Sequence, residues 1–318
     1  MEIRFWGTRG SLPASLTARD IHEKVKCALE IALDKGLTWK SDLDAFIERE
    51  LPFWVRATYG TNTPCIEIRE GEQFILCDAG TGLRDFGNRH VLSHGLDSPA
   101  DFHIFLTHFH WDHIQGFPFF PPAYIQGNRI TIYGCHEDMK KVLSTQQGFP
   151  FFPVDFKELP ARIDFVILNP DQWYDVGGFR VLGKEQNHPG LSYGYRFERG
   201  GKAAVYATDA EPQFENDDEA RPFLDFFYQA DLLIFDAQYT FLETSTIKEN
   251  WGHSNNLLGV ELAKRAKVKH LCLYHNDPAS TDKDLDKFLA DTEKMAALLM
   301  EGGELKVSVA WDGWSVEL

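Results

Sequence analysis

The fold is decided by the stretch Thr107-His108-Phe109-His110-Trp111-Asp112-His113-Ile114-Gln115-Gly116. It follows an apolar run from Phe102 to Leu106, in which Ile104, Phe105 and Leu106 are unbroken. Such a run, bounded by polar residues, predicts a buried strand and puts the His-x-His-x-Asp-His cluster on the turn that leaves it. Packing does not explain three imidazoles and one carboxylate between positions 108 and 113. Neutral imidazole and carboxylate are the ligands that zinc and similar borderline metals prefer. His108 and His110 can converge on one ion, while Asp112 and His113 turn toward a second. The alternative, a surface loop rich in histidine by chance, fits poorly with a position at the end of a buried strand, where open sites are built.

Upstream, residues 3–6 read as a first strand, and Gly7-Thr8-Arg9-Gly10-Ser11 as a glycine-bracketed turn, better taken as a bare turn than as a phosphate-binding loop. Residues 12–58 are expected to be a helical insertion after that strand. Ile21, Val25, Ala28, Leu29, Ala32 and Leu33 recur at helical spacing, as do Leu43, Phe46 and Ile47. Thr17 or Asp20 suits the cap of the first helix and Ser41 that of the second. The insertion reads either as a lid or partner surface or as a packed helical pair with no part in chemistry. Cys65–Arg69 and Phe74–Cys77 are strands, the second ending in Asp78 beside Gly80 and Gly82.

Downstream, Gly116-Phe117-Pro118-Phe119-Phe120-Pro121 recurs letter for letter at 148–153. Proline blocks regular helix, so both copies should be fixed loops presenting phenyl rings, as an aromatic wall or as packing. Further strands are expected at 130–134, 163–168, 179–182, 203–207, 232–235, 269–274 and 305–310. Asp209 and Asp236 fall at strand ends, where a rigid backbone makes good ligand positions. Residues 211–221 read as an acidic solvated loop. A helix carries Leu257 to Ala266, with Ser254 as its cap. That cap would put His253 at the positive end of a helix dipole and lower its pKa, with Asp236, if close, acting the other way. A last helix, from about Thr281 to Glu301, should be stopped by Gly302-Gly303. Neither a linker nor a low-complexity tract divides the chain, so residues 1–318 read as a single domain.

The chain has 318 residues, enough to bury a large core. Its formal net charge of −16 sets an unfavourable mean field for a polyanion, although a local basic patch remains compatible with it. Long nucleic acid is therefore disfavoured as a partner. The five cysteines are scattered and odd in number, which suits reduced thiols and a cytoplasmic location. No basic leader, apolar signal region or membrane-length apolar run is present, so neither export nor a membrane partner is expected.

The 107–116 cluster resembles the signature of the metallo-beta-lactamase superfamily of metallohydrolases. The resemblance implies an α+β fold, a four-layer αββα metallo-beta-lactamase sandwich with a two-metal site along one edge. It assigns His108, His110 and His188 to one metal and Asp112, His113 and His275 to the other, with Asp209 bridging. Asp78 then supports rather than binds. Two divalent ions follow, Zn2+ by ligand type, with Mn2+ or Fe2+ as alternatives. A hydroxide between two cations has a pKa brought toward neutral and suits in-line attack on phosphorus, with Asp112 among the catalytic groups.

The segment Asp236-Ala237-Gln238-Tyr239, with Gly252-His253-Ser254 and the strand end at His275, is similar to the ribonuclease Z and phosphoribosyl cyclic phosphodiesterase branch. There an acidic residue at the place of Asp236 orients a histidine at the place of His253, which protonates the leaving oxygen. Asp replaces the usual Glu, one methylene shorter. The expected function is a phosphodiesterase acting on a small, cyclic, nucleotide-like diester, with His253 as general acid and Asp236 as its partner.

Four rivals share parts of the pattern. A ribonuclease Z-type transfer-RNA processing enzyme should carry a basic arm, and none is visible. A thioester or lactone hydrolase has no use for the Asp236–His253 pair. A diiron redox protein usually has a carboxylate where His110 stands. A partner-binding module would not need a complete ligand set. The resemblance also suggests a homodimer.

Overall fold

Two seven-stranded sheets stack face to face, and the chain divides almost evenly between them. The computed structural model describes residues 1–38, 41–71, 73–96, 98–214, 216–248, 250–299 and 305–318. The first half runs β1 (Glu2–Gly7), α1 (Ala18–Asp34), α2 (Leu43–Glu50), α3 (Phe53–Arg56), β2 (Cys65–Glu70), β3 (Gln73–Cys77), α4 (Gly82–His94), β4 (Asp101–Phe105), α5 (Trp111–Ile114), β5 (Arg129–Gly134), α6 (Met139–Gln146) and β6 (Arg162–Ile167). The second half runs β7 (Trp173–Val176), β8 (Phe179–Gln186), β9 (Ser192–Arg199), β10 (Lys202–Ala207), α7 (Asp217–Phe227), β11 (Leu232–Asp236), α8 (Phe241–Thr244), α9 (Asn256–Arg265), β12 (His270–Tyr274), α10 (Asp282–Leu299), β13 (Lys306–Val309) and β14 (Ser315–Glu317).

The first sheet has the order β14-β1-β2-β3-β4-β5-β6 and the second β13-β12-β11-β10-β9-β8-β7. Pairing is parallel from β3 to β6 and from β10 to β13. Parallel strands are buried on both faces, which is why β11 reads as a continuous apolar run from Leu232 to Phe235. Successive side chains then go to opposite layers. Ile75 and Cys77 of β3 enter the core between the sheets with Phe105, Tyr206 and Cys272. Phe74 and Leu76 face outward against Leu83 and Phe86 of α4. Across the molecule, Val205, Leu233, Phe235 and Leu271 lie under Phe227, Val260 and Leu285 from α7, α9 and α10. The result is the α+β sandwich with helices on both outer faces. Each Leu, Ile or Phe buried this way contributes roughly 1.5–3 kcal/mol.

Several expectations are corrected. The helix after His253 is capped by Asn255, whose side chain accepts from the Leu258 amide, and not by Ser254. The second insertion helix is capped by Asp42, not Ser41, because the Asp42 carboxylate reaches the Ala45 amide. Thr17 does cap α1, in a reciprocal box with Asp20. The acidic stretch 211–221 is not loop throughout: Asn216 caps α7, whose first turn takes Asp217, Asp218 and Glu219, where negative charge favours a helix start. The two Gly-Phe-Pro-Phe-Phe-Pro copies part company. In the first, Phe117 and Phe120 are buried, and α4 accepts them only because Gly87 has no Cβ: one would lie 2.6 Å from Pro121. In the second, Phe149 and Phe151 are exposed. Residues 301–303, expected to end and stop the last helix, lie outside the described residues.

Helices α1, α2 and α3 fall between β1 and β2, yet α1 and α2 bury no residue. Helix α1 is held instead by Lys24, whose ammonium pairs with Asp282 at 2.7 Å and donates to the carbonyls of Trp54 and Ala57. All five cysteines are free. No helix among the described residues is long and apolar enough to cross a membrane.

Candidate metal centre

Every site residue singled out in the sequence sits at one end of the sandwich, on a segment leaving a strand or entering α9. His108 to His113 leave β4 of the first sheet, and His188, Asp209 and His275 follow β8, β10 and β12 of the second. Asp236 ends β11, and His253 lies just before α9. Asp78, Asp209 and His275 have left-handed backbone, with φ of 62°, 54° and 64°. Non-glycine residues adopt that conformation only where their surroundings over-determine it, and such strain gathers at functional sites.

Two groups converge, and a third set, Asp209, Asp236, His253 and His275, overlaps them. In one, Nε2 of His113 lies 3.2 Å from Oδ2 of both Asp112 and Asp209, and Nε2 of His275 lies 3.2 Å and 3.4 Å from the same two oxygens. The two imidazole nitrogens are 3.3 Å apart. Ligands held about 2.0–2.1 Å from a tetrahedral cation stand about 3.3 Å from one another, so these four atoms have the spacing of a coordination shell. The other group is His108, His110, His188 and Asp209, which could hold a second ion. Here Nε2 of His108 and of His188 each lie 3.8 Å from Asp209 Oδ1, and His188 Nε2 lies 3.1 Å from His110 Nδ1. The His108 Nε2 is buried with no hydrogen-bond partner among the described residues, an expensive state that a cation would relieve. Asp209 alone belongs to both groups by distance, offering one oxygen to each.

The far side of three of the rings, those of His113, His108 and His188, is pinned. Asp78 Oδ2 takes His113 Nδ1 at 2.8 Å and is itself held by the Tyr206 hydroxyl at 2.8 Å. The Thr107 hydroxyl donates to Asp78 and lies 3.0 Å from His108 Nδ1. His188 Nδ1 donates to the Gly252 carbonyl at 2.7 Å. Such bonds fix the tautomer and aim Nε2 inward.

The electrostatics agree with a cation site. Burial lowers the pKa of His108, His110 and His188, keeping them neutral as metal ligation requires. Burial opposes ionisation of Asp209, but His113, His275 and His108 outweigh it and hold the carboxyl well below its usual range. Burial likewise opposes charge on His113, yet Asp209, Asp112 and Asp78 push its pKa well up, so positive charge is favoured between these carboxylates.

Beside this cluster, His253 Nδ1 meets Asp236 Oδ2 at 2.8 Å, so the shorter aspartate reaches its partner. Asp236 is fully buried and is fixed by the amides of Ala210 and Gln238. Because the helix starts at Asn256, the dipole does not decide the His253 pKa. Burial opposes the charged form, but Asp236, then Asp209 and Asp112, raise it to about 9. The bond to Asp236 occupies Nδ1 and leaves Nε2 as the nitrogen able to act on a ligand.

Two further residues belong to the site. The turn taken as bare puts the Ser11 amide 2.7 Å from Asp112 Oδ2, and Gly10 makes room for it, since a Cβ there would lie 2.5 Å from His275 Nδ1. Glu211, assigned to a solvated loop, binds the amides of Asn250 and Gly252 at 2.9 Å and 2.8 Å. It thereby ties the segment bearing His253 and the His188 partner to the strand end bearing Asp209. The glycines that bracket the turn at 7–11 were the available signal for the first; nothing local marked the second. Glu211→Ala is expected to reduce turnover by about 10–100-fold through loss of this support. Steady-state kinetics with metal content measured in parallel would check it, and unchanged kinetics would remove Glu211 from the site.

A family model described as a beta-lactamase superfamily domain matches residues 73–276. A ribonuclease Z of Thermoplasma acidophilum is 26% identical over 281 residues, covering 73% of this chain and 85% of its own. Among solved structures, the metallo-beta-lactamase fold protein YhfI of Bacillus subtilis superposes with a TM-score of 0.63 at 18% identity, covering 100% of this chain and 99% of its own. A diphosphatase from the PhnP family gives 0.60 at 19%, covering 100% and 97%.

Proposed function

Because the chain belongs to the beta-lactamase superfamily, in its metallo-beta-lactamase form, we propose that it is a dinuclear metal phosphodiesterase in which His253 is the general acid. The observation that carries this reading is the buried 2.8 Å pair of His253 and Asp236 alongside the two ligand groups. Hydrolysis of a carboxyl derivative with a good leaving group needs no such acid, whereas an alkoxide expelled from phosphorus does.

His108, His110 and His188 would hold one ion, Asp112, His113 and His275 the other, with Asp209 between them. When bound, two divalent cations supply Lewis-acid charge to the phosphoryl oxygens and lower the pKa of a coordinated water. The chain's own residues do the rest. Asp236, anchored by two amides, fixes the His253 ring and stabilises its charged form. His253 then delivers a proton through Nε2 to the departing oxygen and is left neutral. Burial of the ligand cluster excludes bulk water, while exposed His110 and Trp111 mark the open side.

The acidic composition favours a small, cyclic diester as substrate. A second reading, cleavage of RNA in the manner of ribonuclease Z, is favoured by the name of the curated relative. Turnover by the Zn2+-loaded protein of 3′,5′- and 2′,3′-cyclic nucleotides, a phosphoribosyl cyclic phosphate, a precursor transfer RNA and a thioester separates them. Hydrolysis of a cyclic diester alone is the expected result. Cleavage of the RNA selects the second reading, and turnover of the thioester alone refutes the acid role of His253.

A further inference from the structure

The second sheet has two ends of opposite character. One carries His188, Asp209, Asp236 and His275; the other carries cations. Arg180 lies at the start of β8, Arg196 and Arg199 near the end of β9, Lys202 at the start of β10, and Lys306 at the start of β13. Lys269 immediately precedes β12, with Lys267 two residues earlier. Strand register puts them along one edge: Arg180 stands opposite Glu198, Lys202 opposite Arg199, and Lys306 opposite His270. From β8 to β13 the edge crosses five interstrand steps of about 4.8 Å, a track of about 24 Å.

These cations outnumber the carboxylates among them, the reverse of the whole chain, which has 32 Lys and Arg against 48 Asp and Glu. The carboxylates present are shared. Glu198 holds both Arg180, at 3.5 Å, and Arg196, at 2.8 Å. Asp231 holds Lys202, at 3.5 Å, and Lys269, at 2.8 Å. Glu70 meets Arg199 at 3.7 Å, and Asp175 faces Arg180 across the β7–β8 pair. Lys267 and Lys306 make no ion pair among the described residues. A depression of about 620 Å³ runs between Arg180 and Lys269. One part-exposed ring, Tyr228, lines it, with the Lys267 ammonium 5.8 Å from its centroid; a second, Trp173 on β7, lies beside Arg180, whose guanidinium is 4.3 Å from its centroid.

We propose that this edge is a docking track for single-stranded nucleic acid, with the phosphodiester backbone along the cations and bases stacked on Tyr228 and Trp173. A single phosphate would engage one or two of these groups. A line of cations with aromatic faces beside it is instead how strands are held without regard to sequence. The track is separate from the candidate metal centre: β10 alone puts five residue steps of about 3.3 Å between Lys202 and Ala207, or about 17 Å. It anchors a strand rather than cutting it, goes beyond the proposed reaction, and bears on the choice between its two substrates.

The test is fluorescence anisotropy of labelled oligouridylate and oligothymidylate, each about 20 nucleotides so as to outreach the track, with the Zn2+-loaded full chain at about 50–200 mM KCl, the range over which phosphate contacts show their salt dependence. The wild type should bind with an affinity that falls steeply with salt. The triple variant K202Q/K267Q/K269Q should bind at least about tenfold more weakly, with a log–log salt slope shallower by about 2, since each single-strand phosphate contact contributes about 0.7. Y228A should weaken binding about fivefold or more through lost stacking. Hydrolysis of bis(4-nitrophenyl) phosphate, unchanged in the triple variant, shows that the protein is folded. A wild type that binds oligomers in this way but hydrolyses no diester would refute the proposed reaction and leave the track standing. The track is refuted if the wild type binds neither oligomer at the lowest salt, if the triple variant binds as the wild type does, or if inorganic triphosphate binds and the oligomers do not.

Discussion

Asp209→Ala is expected to abolish turnover, lowering it by about 10³-fold or more, and to empty both ion positions rather than one. The reason is geometric. Asp209 Oδ2 lies 3.2 Å from His113 and 3.4 Å from His275, while Oδ1 lies 3.8 Å from both His108 and His188. Removing it takes a ligand from each group at once, and the ions contribute several kcal/mol of charge stabilisation to the reaction. Elemental analysis after dialysis should show the loss directly. His110→Ala is the control, because His110 is the exposed member of one group and should weaken that ion alone. A fully metallated Asp209→Ala protein would mean that the two groups do not share this carboxylate.

The second large effect depends on the substrate. His253→Ala should cost about 10²–10⁴-fold on a diester that expels an ordinary alkoxide, the range of a positioned general acid. On bis(4-nitrophenyl) phosphate, whose leaving group needs no proton, the same variant should stay within a few-fold of wild type. Asp236→Asn should follow His253→Ala in direction, since it removes the carboxylate that holds Nδ1 at 2.8 Å. Equal losses on both esters would reassign His253 to structure or to metal binding, a role its 3.9 Å distance from Asp209 makes worth excluding.

The sequence revealed the sheets where strands are buried on both faces, because a strand covered on each side must be apolar at every position, as 104–106 and 232–235 are. It revealed the cluster of 108–113 because its residue types have no packing role. Three features were hidden for separate physical reasons. Helix α4 contains Gly82 and Gly87 and is held by tertiary contacts rather than propensity, its Gly87 serving the close approach of Pro121. Strands β7 and β14 are short edge strands with polar residues, indistinguishable locally from loop. Glu211 works through backbone amides about forty positions away, contacts that leave no local pattern. The identical Phe-Pro copies show the same limit: one lies under α4 and the other faces water, and only the packing tells them apart.

The ligand groups draw on both halves of the sandwich, His108 to His113 from the first sheet and His188, Asp209 and His275 from the second. Ions bound there would act as rivets across the two halves. One ion has its full ligand set only once β12 has docked and brought His275 into place, and the other only once His188 and Asp209 of the second sheet have joined His108 and His110, so both would favour the native chain over its unfolded or half-folded forms. By mass action, free ion at about 1,000 times its dissociation constant would add about 4 kcal/mol of stability per site, comparable to a large share of a domain's net stability. Metal supply and folding would then be one equilibrium: scarcity of the ion would deplete the native population as well as the activity of each molecule.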